Sequence, residues 1–482
     1  GTPALDPAER LARAPALDRS AARLDVGEAA VRAGFAPARI LVGMHGDRPV
    51  YRLAGGGGWT TIYADTGETA GGLGPEQAVE IARRFAPGHA AGARYDARLT
   101  APDQWTLQSG AFFPLHRVAL GDDAATVLYI SDRTVEPVLE TTRRGRLWAW
   151  LGAVPHWLYF TPLRSRASFW SDLVIGLSML GCVLALSGIV WGLWRVAAST
   201  AYRLRDGRSH SPYAGLMRWH HYAGLVFGLF TFTWIFSGGL SMDPWSWHPG
   251  TGPTAAQRLA LSGGPLRLGP LTADGLRAAA AAIGSSFPPK ELEVLQLANE
   301  PHVRAADPAG APPGDLALPT TLATLRSQVP EQRLVSMLRP EDGAFVRFDD
   351  ERIEAAAAAA MRGAAVEEAV WLRAYDDYYY DRSRRRPLPV LRARYDDAGA
   401  TWLYLDPYRG AVARKEERLT RVNRWLYRGL HGLDFPFLYG RRPLWDAVVI
   451  GLSLGGILVS VTSAGQGWRR LRRRARRLRP PA

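Results

Sequence analysis

Residues 173–194 read LVIGLSMLGCVLALSGIVWGLW, 22 positions without a single Asp, Glu, Lys or Arg. Two further stretches share this property: 219–242 (WHHYAGLVFGLFTFTWIFSGGLSM) and 447–468 (AVVIGLSLGGILVSVTSAGQGW). At a helical rise of about 1.5 Å per residue, each is long enough to cross a hydrocarbon core of roughly 30 Å. The mean hydropathy of the 482-residue chain, −0.11, hides this clustering. An ordinary soluble protein is excluded.

The charge lies beside these stretches. Segment 195–218 carries Arg195, Arg203, Arg205, Arg208 and Arg218 against Asp206, and the tail RRLRRRARRLR (469–479) adds eight arginines. Together they supply 12 of the 14 net positive charges. Basic segments abutting apolar spans mark the cytoplasmic side and a contact with anionic membrane lipids. With no recognition motif in support, nucleic acid is not expected as a partner. The single cysteine, Cys182, rules out internal disulfides, thiolate-held iron–sulfur clusters and C-x-x-C-H haem attachment. Any redox metal must be held by histidine or carboxylate.

This orientation divides the chain into an extracytoplasmic domain (1–145), an interfacial helix with a span (146–195) and a cytoplasmic loop (196–217). A second span (218–242), a second extracytoplasmic domain (243–420), an interfacial helix with a third span (421–468) and a basic cytoplasmic tail (469–482) follow. Tryptophans cluster at the span ends, among them Trp148, Trp194, Trp219, Trp245 and Trp468, as an aromatic belt requires.

Residues from 114 to about 184 match residues 275 positions later without gaps. The pairs include Pro114/Pro389, Asp122/Asp397, Thr126/Thr401, Tyr129/Tyr404, Trp150/Trp425, His156/His431 and Trp170/Trp445, and the block VIGLS recurs at 174–178 and 449–453. The second copy has an outward span before its outer domain and the first does not. The expectation is a four-span parent of two two-span halves, whose opening helix is absent from this chain. The outer regions read as α+β: strand-like runs at 38–45, 48–55, 59–67, 388–397 and 401–410, and helical patterns at 75–86 and 271–284. Residues 301–316 read as a loop or linker.

The hairpins WTTIYADTGE (59–68) and TWLYLDPYRGAV (401–412), with Tyr-x-Asp before a turn glycine, resemble the repeat unit of PepSY domains. The strings 384–410, 421–456 and 218–240 are similar to the PepSY-associated transmembrane family. The fold class this implies is a membrane α-helical protein of two-fold repeated helix pairs, bearing PepSY-like α+β extracytoplasmic domains. Some members of that family are bacterial inner-membrane reductases of ferric siderophores that carry b-type haem.

Ten histidines fall into groups. His45, His89, His116, His210, His248 and His302 sit in polar contexts and read as surface or turn residues. His156 and His431 occupy equivalent repeat positions within apolar surroundings, AVPHWLYF and RGLHGLDF. An imidazole beside lipid needs a partner. Two that face each other across a pseudo-two-fold axis would suit bis-histidine haem ligation; single rings would anchor to lipid headgroups instead. His220 and His221 open the outward span. Neighbouring helix residues point about 100° apart, so at most one of them serves as an axial ligand. Arg218 suits a haem propionate. The run YDDYYY (375–380) with Arg384–Arg386 reads as a solvated loop, or as the lining of an outer site for an iron chelate.

The resemblance implies a bacterial inner-membrane, multi-pass protein with large periplasmic domains and two b-type haems, the inner site incomplete in this chain. His156 and His431 would hold the outer haem, and His220 or His221 with Arg218 the inner one. Electrons would come from a quinol or a cytoplasmic reductase and reduce a ferric siderophore or other ferric chelate outside. Two rivals remain: a membrane-anchored PepSY binding or regulatory protein without cofactor, and a transporter component. The second is disfavoured because Asp172, Asp243 and Asp446 all sit at span ends.

Overall fold

The computed structural model describes residues 2–18, 22–197, 202–204, 207–308, 329–381 and 385–477. Arg205, Asp206, Arg384, residues 309–316 and the last five residues of the basic tail, all invoked above, lie outside this set. The first copy runs α1 (Pro7–Arg13), α2 (Val26–Ala33), β1 (Arg39–His45), β2 (Arg48–Gly55), β3 (Gly58–Tyr63), β4 (Thr69–Ala70) and α3 (Pro75–Phe85). It continues through β5 (Arg94–Leu99), β6 (Leu115–Ala119), β7 (Val127–Ser131) and β8 (Glu136–Thr141). Three short helices, α4 (Arg143–Leu151), α5 (Ala153–Trp157) and α6 (Thr161–Arg164), lead into the long α7 (Ala167–Arg195). A small hairpin, β9 (Tyr202–Leu204) and β10 (Gly207–Ser209), precedes α8 (Leu216–Leu240). The second copy follows with α9 (Ala255–Ser262), α10 (Ala273–Gly284), β11 (Leu292–Leu297), β12 (Glu300–Ala306), β13 (Gln332–Ser336), α11 (Asp350–Ala360), β14 (Val366–Leu372), β15 (Val390–Tyr395), β16 (Trp402–Asp406) and β17 (Ala411–Glu416). It closes with α12 (Arg418–Asn423), a π-helical turn (Arg424–Gly429), α13 (Leu430–Gly432), α14 (Pro436–Tyr439) and α15 (Leu444–Arg477).

The repeat is physical. β7 and β8 shifted by 275 are β16 and β17 at both ends. The β7–β8 ladder slips between Tyr129 and Ile130, and the β16–β17 ladder slips between Tyr404 and Leu405. Asp122 accepts from the amide and hydroxyl of Thr126 at 2.6 and 2.7 Å; Asp397 accepts from those of Thr401 at the same two distances. A short acceptor that closes on the amide four residues ahead sets a tight turn, and keeping it keeps the hairpin register.

Two four-stranded antiparallel sheets, β5-β6-β7-β8 and β14-β15-β16-β17, belong one to each copy. The third sheet is shared, in the order β13-β12-β11-β1-β2-β3-β4. Its seam pairs Leu41 with Glu293 and Val42 with Leu292. Both flanking hairpins have two-residue turns (Gly46-Asp47 and Ala298-Asn299), so Leu41 and Glu293 hold the same position in the two copies. Two equivalent residues that face each other place a pseudo-two-fold axis between them. The core under this sheet draws on both copies, with Val26, Ile40 and Leu53 of the first against Leu276, Ile283 and Val303 of the second.

α7, α8 and α15 are long and apolar enough to cross a membrane. α8 sits between the other two, contacting both. Small residues let the backbones close: a Cβ on Gly239 would stand 2.9 Å from Ser178, and one on Gly228 would stand 3.1 Å from Ile189. Trp194, Trp219 and Trp468 are exposed near the helix ends.

The expected fold class needs correction. The chain is a mixed α/β protein, 44% helical and 21% strand, not a predominantly membrane α-helical one: among the described residues there are four antiparallel sheets and three apolar helices of spanning length. Apolar runs dominate a hydropathy reading, whereas strands of two to eight residues each carry a weak individual signal. The linker expected at 301–316 is likewise strand up to Ala306. The expected solvated loop at 375–380 instead buries Tyr375, Tyr379 and Tyr380 with Tyr404 and Tyr439.

Candidate functional site

The two equivalent histidines meet. The rings of His156 and His431 lie 5.8 Å apart, centroid to centroid, inclined at 50°. Two imidazoles bound through nitrogen to one metal at about 2 Å each would put their centroids roughly 6 Å apart, so the separation matches a shared ion. The turns that present them are built alike. Each ends in a leucine in the left-handed region, Leu158 (φ 51°) and Leu433 (φ 52°). Each is tied to the following long helix by an indole: Trp170 Nε1 donates to the carbonyl of Trp157 at 2.9 Å, and Trp445 Nε1 to that of Gly432 at 3.1 Å.

The second ring is oriented by α8. Ser237 Oγ donates its single proton to the Thr233 carbonyl at 2.6 Å, so the 3.1 Å contact between Ser237 Oγ and His431 Nδ1 has the imidazole as donor. A protonated Nδ1 leaves Nε2 with its lone pair free, the state a metal ligand needs. Gly238 lies flat against the ring, where a Cβ would stand 3.6 Å from Cε1. Tyr427 flanks it with a centroid distance of 5.5 Å. His156 is exposed.

His220 and His221 diverge. His221 is buried and engaged at both nitrogens, Nδ1 with Ser211 Oγ at 2.8 Å and Nε2 with the Gly192 carbonyl of α7 at 2.9 Å. His220 turns to α15, where Nδ1 meets Thr462 Oγ1 at 3.0 Å. Arg218 donates Nε to the Tyr213 carbonyl at 3.0 Å. Along α8, the 17 residues from His220 to Ser237 span about 25 Å, so the two histidine sets sit at opposite ends of one helix. Among the described residues no three His, Cys, Asp or Glu side chains converge as around a metal held by protein alone.

Of the six histidines read as surface or turn residues, His116 and His302 are fully buried in strands. Burial, against the opposing pull of Glu300, pushes His302 down to about 4. The hydroxyls Ser237 and Thr462 escaped the sequence reading; their signal is a polar residue inside an otherwise apolar span. Comparison with known proteins finds no matching family model, no similar curated protein and no similar solved structure.

Proposed function

We propose that this chain is a b-type haem protein of the bacterial inner membrane, related to the PepSY-associated transmembrane family, that passes electrons outward to a ferric siderophore or similar ferric chelate. The facing pair His156 and His431 carries the reading. Two imidazoles at this spacing, one oriented by Ser237, would suit two nitrogen ligands to a haem iron. The basic segment after α7 and the basic end of α15 argue for the cytoplasmic side, an orientation that would leave the three larger sheets in the periplasm and the β9–β10 hairpin in the cytoplasm. Haem, when bound, supplies one-electron chemistry; the chain's own residues hold, orient and insulate it.

His431 is positioned by Ser237, and Gly238 leaves a flat face beside its ring. At the other end of α8, His220 is the better candidate of its pair, because His221 has both nitrogens engaged. Arg218, two residues before His220 in the first turn of α8 and anchored through Nε to the Tyr213 carbonyl, would meet a carboxylate of the group held there, and the donor side is a quinol or a cytoplasmic reductase.

The test is the visible spectrum of the detergent-purified full chain. A Soret band with b-type α features is expected, and His156→Ala and His431→Ala should each remove the same chromophore. A folded, colourless wild-type protein overturns the reading and leaves a membrane-anchored binding protein.

A further inference from the structure

We propose that the cleft beneath the β1–β2 turn is a binding site for an organic oxyanion, gripped by the Nη1 end of Arg52, with His45 at the rim. This does not rest on the haem reading. The cleft encloses about 1710 Å³ between that hairpin, α3, the start of β8 and the end of α1. Small-molecule sites usually occupy about 300–1,000 Å³, so it can take a ligand with a sizeable body beyond its charged head.

The deep wall is Arg52, which is 3% exposed. Its Nε donates to the Thr134 carbonyl at 2.9 Å and its Nη2 to the Met44 carbonyl at 3.1 Å, so the guanidinium plane is fixed. The carboxylate near it, Glu136 at 3.5 Å, is engaged more closely by Arg10 at 2.9 Å. Arg52 Nη1 has no acceptor among the described residues and lies over Gly43, where a Cβ would stand only 2.8 Å away. Glycine in mid-strand is what keeps this donor reachable. His45 lines the rim: its Nδ1–H donates to the Val135 carbonyl at 3.2 Å, which leaves Nε2 as an acceptor for a hydroxyl on the ligand, and its ring leans on Tyr63. Burial first, then the guanidinium groups of Arg52, Arg84 and Arg48, hold this imidazole below its usual range. Arg48 stacks over Tyr63 at 3.7 Å, giving an apolar shelf beside the charges.

The second copy serves as an internal control. Counting from the two turns, Gly43, His45 and Arg52 correspond to Leu295, Leu297 and Arg304. There Arg304 is spent on Glu293, and Leu297 is packed into a closed core with Phe348 and Ile353. One fold has thus been filled with hydrocarbon in one copy and left open, with a fixed and unspent guanidinium, in the other. Guanidinium matches the two-oxygen face of carboxylate and phosphate alike.

The experiment titrates the full chain in detergent micelles with citrate and, separately, with pyrophosphate, by calorimetry. Saturable binding of either is expected, and the one that binds identifies carboxylate or phosphate as the head group. His45→Leu, which copies the second half and fills the rim with hydrocarbon, should weaken it at least tenfold with an unchanged melting temperature. Arg52→Gln should weaken it at least tenfold with a lower one, since it strips the Thr134 and Met44 carbonyls of their donor. If Arg52→Gln does not fold, the rim variant decides. Absence of binding by both anions, or binding indifferent to His45→Leu, overturns the proposal.

Discussion

His221 Nε2 lies 2.9 Å from the carbonyl oxygen of Gly192, joining α8 to α7 through a buried side chain. With Nδ1 held by Ser211, the ring is a structural tie, while its neighbour His220 points to α15. The two residues should therefore fail differently. His221→Ala leaves the Ser211 hydroxyl without its imidazole partner and is expected to cost about 1–3 kcal/mol. That loss would appear as a lower melting temperature in detergent with the spectrum of any outer haem unchanged. His220→Ala should leave melting nearly unaltered and, if haem is held at that end of α8 as proposed, lower haem content alone.

Ser237 fixes the tautomer of His431 without touching anything beyond it. Partners of this kind are worth about 10–100-fold in metal-ligand affinity. Ser237→Ala should weaken haem retention at the outer site by that order, measured by competition with an apo-haem acceptor, while Ser237→Thr should restore most of it. A variant with wild-type retention would show that the hydroxyl does no orienting.

The α8–α15 contact depends on Gly455. A Cβ there would fall 2.2 Å from the Phe227 ring, whereas one at Gly451 would meet nothing within 4 Å. Gly455→Ala should lower stability by about 1–3 kcal/mol, since the ring must move to make room. Gly451→Ala should be neutral or slightly stabilising. Paired thermal melts check this, and equal effects of the two would place the helix contact elsewhere.

Two buried groups in the sheets of the second copy should show opposing pH dependences. Burial raises Asp406 from 3.8 to about 6, against the pull of the Tyr408 amide and of Arg409 and Arg304. Its stabilising contribution is therefore full below 3.8 and lost as pH rises through 6. His302, pushed down from 6.5 to about 4, contributes above 6.5 and loses that contribution as pH falls towards 4. Asp406→Asn should thus gain stability at pH 8, by up to about 3 kcal/mol, and nothing at pH 4. Denaturation at the two pH values measures it.

Much of this was legible beforehand. The three apolar runs, the 275-residue offset and the pairing of His156 with His431 all follow from residue identity at fixed spacing. The shared sheet was not legible. Leu41 and Glu293 meet through their backbones, and nothing in their side chains announces a partner 252 positions away. The roles of His220 and His221 could be separated only partly, because helical geometry gives the angle between them but not which neighbour each finds. His116 and His302 were misjudged because short strands expose and bury alternate residues, and polar neighbours in sequence then lie on the opposite face.

The strand seam between β1 and β11 has one more implication. Main-chain amides and carbonyls join the copies there, and those groups are the same whatever residues flank them. Such a joint tolerates drift in composition on either side, which a joint of interlocking side chains would punish. After a duplication, one hairpin could fill with leucine and the other keep a cleft above its buried arginine, without either losing its grip on its sibling.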